Sequence, residues 1–172
     1  MKQNAVFHLP GLFEFYELYR LFLPLFREHR EYFYEGWEIG SIYGAPADCI
    51  WGGERAGFGD QRPQEVLALL REYGISARLT FSNSLLREEQ LADRRCNALC
   101  AMLEEGVVPN GAIVHSYLLL DYLKTQHPKL YFVSSTTKVL TGFDQLEAEL
   151  NRPAYQIHVR EAIYLDAMLD LF

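Results

Sequence analysis

The residue best placed for acid–base chemistry is His115, which closes the apolar run "GAIV" and precedes Ser116. An imidazole there exchanges a proton near neutral pH; the plainer reading is a hydrogen-bonded histidine at a helix start. Lys138 follows "SSTT", so its ammonium could meet a bound phosphate or carboxylate while Ser134, Ser135, Thr136 or Thr137 supplies hydroxyl bonds. The same run also reads as a helix cap beside an exposed lysine. Asp48 is the third candidate for proton transfer. It lies in "GSIYGAPADCIWGGERAG", residues 40–57, together with Glu54 and Arg55. Arg55 could contact an anion; otherwise Asp48 caps a turn and Glu54 pairs with Arg55. Tyr43 and Asn83 complete the ligand-binding candidates, both at points where an apolar run gives way to small and polar residues.

The other reactive side chains carry less. His8, His29, His127 and His158 show no metal-ligand spacing. Cys96 and Cys100 are one helical turn apart and can share a face, but no further ligands accompany them. A core-facing stripe of small residues with Ala92 and Ala101 is the simpler account. Cys49 would be nucleophilic only with a stabilised thiolate, and no histidine can be tied to it. No metal site, P-loop or cofactor motif is indicated. Three cysteines without a CxxC pair fit a reducing compartment, and so a cytoplasmic protein without disulfides.

The elements that must position these residues follow from hydrophobic patterning. Residues 12–34, "LFEFYELYRLFLPLFREHREYFY", read as one or two amphipathic helices, with a kink or restart near Leu23 because Pro24 lacks a backbone donor. Short apolar runs then predict strands at 38–43, 77–82, 111–115, 130–134 and 155–159. Helical patterns fall between them at 63–73, 86–105, 116–126 and 143–150. Each strand-to-strand interval has room for a helical crossover, which makes parallel pairing the cheapest topology. The fold class is therefore α/β, built of repeated βα units with an aromatic N-terminal helical segment. In such a series the strand ends leading into helices share one rim. That gathers "YGAPAD", "FSNSLL", "VHSY" and "VSSTTK", although Ser and Asn there also cap helices.

A chain of 172 residues with 49% hydrophobic and 14% aromatic residues can bury a core as one domain. Its formal charge of −7 and the lack of a Lys/Arg stripe argue against nucleic acid. Residues 1–10 hold one lysine and no long apolar core, so they do not read as a signal peptide. The run 13–26 is broken by Glu14, Glu17, Arg20 and Pro24, so it does not read as a membrane span.

As an ordered set, the aromatic N-terminal segment, "GSIYGAPADCIWGGERAG", "ARLTFSNSLL", "GAIVHSYLLLDYLK" and "LYFVSSTTKVL" resemble a poorly characterised bacterial family with a TIM-barrel-like fold. That family is distantly similar to the collagenase-like peptidase barrels. The resemblance covers about residues 6–155 and implies no catalytic residue that can be carried over. It implies a barrel of which this chain holds the N-terminal half, since eight βα units take ~250 residues. On that reading residues 1–36 form a helical extension, 37–159 a partial barrel, and 160–172 a helix or atypical tail. A half barrel leaves an open edge and an uncovered face. Self-association through the apolar terminal segments would cover them. The leading expectation is a structural or interaction role without a completed active site. The alternative is a small enzyme working by acid/base chemistry on a small polar or anionic substrate at the rim.

Overall fold

The computed structural model describes residues 5–53 and 62–155. It contains five strands, β1 (Ala5–Pro10), β2 (Trp37–Gly44), β3 (Ser76–Phe81), β4 (Gly111–Val114) and β5 (Tyr131–Ser134). Five helices alternate with them: α1 (Tyr16–Glu28), α2 (Pro63–Glu72), α3 (Arg94–Glu104), α4 (Tyr117–Gln126) and α5 (Phe143–Leu150). The strands form one all-parallel sheet in the order β1-β2-β3-β4-β5. This is the α/β arrangement of repeated βα units that the strand spacing predicts, and it is consistent with the partial barrel that the resemblance implies.

Local chemistry explains most boundaries. Proline occupies the first position of α2, where its missing N–H costs nothing. Asp93 caps α3 by accepting from the Cys96 N–H at 2.8 Å, and Ser116 caps α4 by accepting from the Leu119 N–H at 3.4 Å. The pattern expected over 86–105 consequently resolves into a short turn at Glu88–Gln90 and a helix that starts only after its aspartate cap. Helix α1 runs through Pro24 without the restart expected near Leu23. Tyr19 and Leu23, one turn apart on the N-terminal side of Pro24, are both buried and anchor the stretch that leads into the proline.

The N-terminal stretch expected as a helical extension also supplies a strand. Ala5–Pro10 pairs with β2 along its length, with a register shift between Phe7 and His8. Among the described residues β1 is thus the fifth strand; of the strand expected at 155–159, Tyr155 lies in a bend and 156–159 fall outside the described residues.

Strand alternation gives the sheet two faces. Ile42, Ala77, Leu79, Phe81, Ala112, Val114 and Phe132 join one continuous core with Tyr19 and Leu23 of α1, Val66 and Leu70 of α2, Leu99 and Leu103 of α3, and Leu119 and Leu123 of α4. The opposite face carries Ser41, Tyr43, Ser76, Arg78, Thr80, Ile113, Tyr131 and Val133. There Tyr131 and Val133 form a smaller cluster against Ile113, Leu146, Leu150 and Tyr155.

The cysteines depart from expectation. Cys49 and Cys96 are joined by a disulfide with a Cα–Cα distance of 5.8 Å, and both are fully buried. The sequence expectation of three thiols failed because the partners lie 47 residues apart and only the fold brings the β2–α2 connection onto the first turn of α3. Cys100 remains a buried thiol, and burial pushes its pKa up, with the Glu104 carboxylate adding to the effect.

Candidate functional site

The carboxyl end of the sheet is built where each strand hands over to the next helix. His115 and Ser135 continue their strands by one residue: the His115 N–H donates to Phe81 O at 3.0 Å and the Ser135 N–H to Val114 O at 3.1 Å. The hydroxyl of Thr137 then lies 2.8 Å from His115 Nδ1 and 2.7 Å from Ser135 Oγ. His115, Ser135 and the "SSTTK" run therefore meet, as their rim positions predict. Burial, aided by the nearby Lys138 charge, pulls the His115 pKa below its ordinary value.

Lys138 turns inward. Its side chain is only 6% exposed and that of Glu149 on α5 only 2%. The Lys138 ammonium donates to Glu149 Oε1 at 2.5 Å and to the Tyr155 hydroxyl at 2.8 Å, and it sits 4.1 Å above the centre of the Tyr117 ring. Tyr117 donates to the other carboxylate oxygen at 2.6 Å, Ser134 donates to Oε1, and Arg152 lies 3.4 Å from Oε2. Burial opposes ionisation of Glu149. Yet the hydrogen bonds from Lys138, Ser134 and Tyr117, with the Lys138 charge, outweigh it and hold the carboxyl at about 2. For Lys138 the balance runs the other way: loss of hydration lowers its pKa in spite of Glu149. Both ions are held in place, but the ammonium is the partner for which burial is costly. Burial also raises the Tyr117 and Tyr155 pKa values, and the Glu149 charge adds to both shifts.

The remaining rim candidates are dispersed. Asp48 is exposed in a left-handed conformation, φ 51°, and its carboxylate reaches Arg95 at 3.6 Å. Among the described residues no hydrogen bond or ion pair links Asp48 to His115 or Lys138. Asn83 pins the β2–α2 connection: its Nδ2 donates to Ile50 O at 2.8 Å and its backbone N–H to Trp51 O at 3.1 Å. Tyr43 is half-buried on β2 and Thr136 is exposed; Glu54 and Arg55 lie outside the described residues.

Residues 45–53 serve the core more than a pocket wall. Trp51 is fully buried, donates from Nε1 to Gln90 O at 2.8 Å, and packs edge-on to Phe81 at 5.3 Å. A crevice of about 10 Å³ lies elsewhere, among Leu70, Ile75, Met102 and Asn110 near the amino ends of the strands. That is room for about one water. Among the described residues no three His, Cys, Asp or Glu side chains converge as metal ligands, and no helix is long and apolar enough to cross a membrane.

Sequence reasoning missed Glu149, Tyr117 and Tyr155, whereas Ser134 was among the hydroxyls expected beside Lys138. The one available signal was Lys138 itself, since a lysine just beyond a strand end needs a carboxylate if it turns inward. Comparisons with family models, curated proteins and solved structures return no match to this chain.

Proposed function

We propose that this chain is a partial TIM-barrel-like interaction domain that self-associates through its N-terminal segment and has no completed acid–base site at the strand ends. The observation that carries this reading is the apolar surface of that segment. Leu18, Leu21 and Leu25 are 57%, 76% and 48% exposed and recur at helical spacing on α1, away from the buried Tyr19 and Leu23. Beside them in sequence, β1 is an edge strand with Val6 and Phe7 exposed. Exposed apolar side chains at helical spacing, with an open strand edge, are what an association surface presents. A second copy presenting the same surface is the occupant that satisfies both features, because a two-fold interface is self-complementary.

A half-barrel relationship to the collagenase-like peptidase barrels and the absence of nucleic-acid partners belong to the same proposal, the latter supported by the acidic balance; the Cys49–Cys96 disulfide argues against the cytoplasmic location expected from the cysteine count. The alternative of a small enzyme keeps one supporting observation, the solvent-accessible His115 held by Thr137 with a depressed pKa. A turnover screen with His115→Ala as control addresses it.

Sedimentation of the full chain tests the leading reading. A dimer is expected, and Leu21→Glu with Leu25→Glu should yield a monomer with unchanged circular dichroism. A wild-type monomer across the micromolar range removes the self-association reading.

A further inference from the structure

The sheet face opposite α1–α4 carries a buried cation. Arg78 on β3 is 3% exposed. Its Nε donates to the Tyr131 hydroxyl at 2.7 Å, with the guanidinium 5.3 Å from the ring centre. No carboxylate pairs with it among the described residues. The Tyr131 hydroxyl is shared with Ser76 Oγ at 2.6 Å, so Arg78 is met by a neutral phenol already engaged elsewhere. An arginine side chain is permanently charged and has five N–H donors in a planar fork. Among the described residues one of them is used.

The surroundings are polar and shaped around this group. Strand alternation places Ser76 and Thr80 on the same face as Arg78, each about 7 Å along the strand, and Tyr43 and Gly111 are its register neighbours on β2 and β4. Thr80 Oγ1 is buried and has no hydrogen-bond partner. Gly111 leaves the space that the Tyr131 ring crosses to reach β3: a Cβ at Gly111 would lie 2.5 Å from Tyr131 Cε2. Gly111 and Tyr131 open β4 and β5, so this cluster stands toward the amino ends of those strands, away from Lys138 and His115.

A buried charge without a counter-charge costs several kcal/mol, and an unpaired buried hydroxyl adds to that cost. A planar oxyanion answers both, taking the guanidinium fork through two oxygens and a hydroxyl through a further contact. We propose that Arg78 anchors an oxyanion-binding site on this face, completed by Thr80 and oriented by Tyr131, for a small diffusible molecule bearing a carboxylate or a phosphate. Lysine would not serve equally, because it lacks the fork that Tyr131 holds from one side.

The experiment is calorimetric titration of the full chain with inorganic phosphate and, separately, with succinate; the better of the two identifies the anion class. Saturable binding of one equivalent is expected for at least one probe, with a matching rise in Tm as the ligand is increased. Arg78→Lys should weaken that binding by about tenfold or more, and Thr80→Val, which keeps the side-chain shape, by about threefold, each with the fold intact by circular dichroism. Should Arg78→Lys fail to fold, Thr80→Val carries the test alone. Absence of saturable binding of either probe to the wild type at millimolar concentration overturns the proposal; that is also the result expected if a carboxylate of the protein itself occupies the fork. Binding unchanged in Thr80→Val overturns it equally.

Discussion

Replacing Lys138 by Met should destabilise the protein far more than removing one surface charge, because it strands Glu149. The carboxylate side chain is 2% exposed and takes its strongest charge compensation from the ammonium at 2.5 Å. Breaking a buried ion pair from one side costs ~3–5 kcal/mol. Ser134 and Tyr117 still donate to the carboxylate, and Arg152 stays beside it, which places Lys138→Met near the lower bound, about 3 kcal/mol. Glu149→Gln strands the ammonium instead, and the lowered Lys138 pKa marks that ion as the costlier one to leave alone; a similar or larger loss is expected. For a chain of this size each kcal/mol moves Tm by roughly 2–4 °C, so each single variant should melt about 6–12 °C early. The double variant removes both charges and should lose clearly less than the two singles together, with a coupling of at least about 1.5 kcal/mol. Urea unfolding of the four proteins completes the cycle. Losses additive to within about 0.5 kcal/mol would show that the pair does not act as a unit and would refute the argument.

The same carboxyl gives a pH signature. Its folded pKa of about 2 lies below the ordinary 4.5, so its stabilisation is present above pH 4.5 and is lost as pH falls through that window. At ~1.4 kcal/mol per pH unit the loss amounts to about 3.5 kcal/mol, read as the difference between wild type and Glu149→Gln in acid unfolding. Thiol titration of the denatured, unreduced protein should count one thiol, Cys100, rising to three after reduction; three at the outset would remove the disulfide. The bridge closes a 47-residue span, and Cys49→Ser with Cys96→Ser should cost about 4 kcal/mol in unfolding free energy. Gly111→Ala should cost ~1–3 kcal/mol by forcing the Tyr131 ring and carbonyl away from a new Cβ; unchanged stability would mean the ring does not cross β4.

Much of the scaffold was legible because it is written in local pattern. The apolar runs at 77–82, 111–115 and 130–134 and the helical stretch at 143–150 recur within a residue or two of the observed elements. His115, Ser135 and Lys138 were legible as rim residues for the same reason, since position in a βα unit decides them. Strand β1 was not. Its six residues alternate only weakly between exposed and half-buried, as an edge strand does, and they precede an aromatic segment whose helical pattern dominates any window. Glu149 was not legible either: Asp144, Glu147 and Glu149 look alike in "FDQLEAEL", and only the return of α5 across β5 buries the third. Arg78 sat in a strand, "SARLTF", where an arginine reads as the solvent side of an alternating pattern; the burial of both faces of β3 is a tertiary fact.

These arrangements bear unequally on where an anion could bind. At the strand ends Lys138 was the sequence candidate for contacting a phosphate or carboxylate, and its ammonium is now committed to Glu149. An anion competing for it must leave that carboxylate without its cation, at a cost of about 3 kcal/mol. Such a cost weakens binding by roughly two orders of magnitude. Arg78 makes no such demand, because its existing partner is a phenol and its remaining donors release no counter-charge when an oxyanion arrives. Side-chain identity favoured Lys138; the energetics of what each cation must give up favour Arg78.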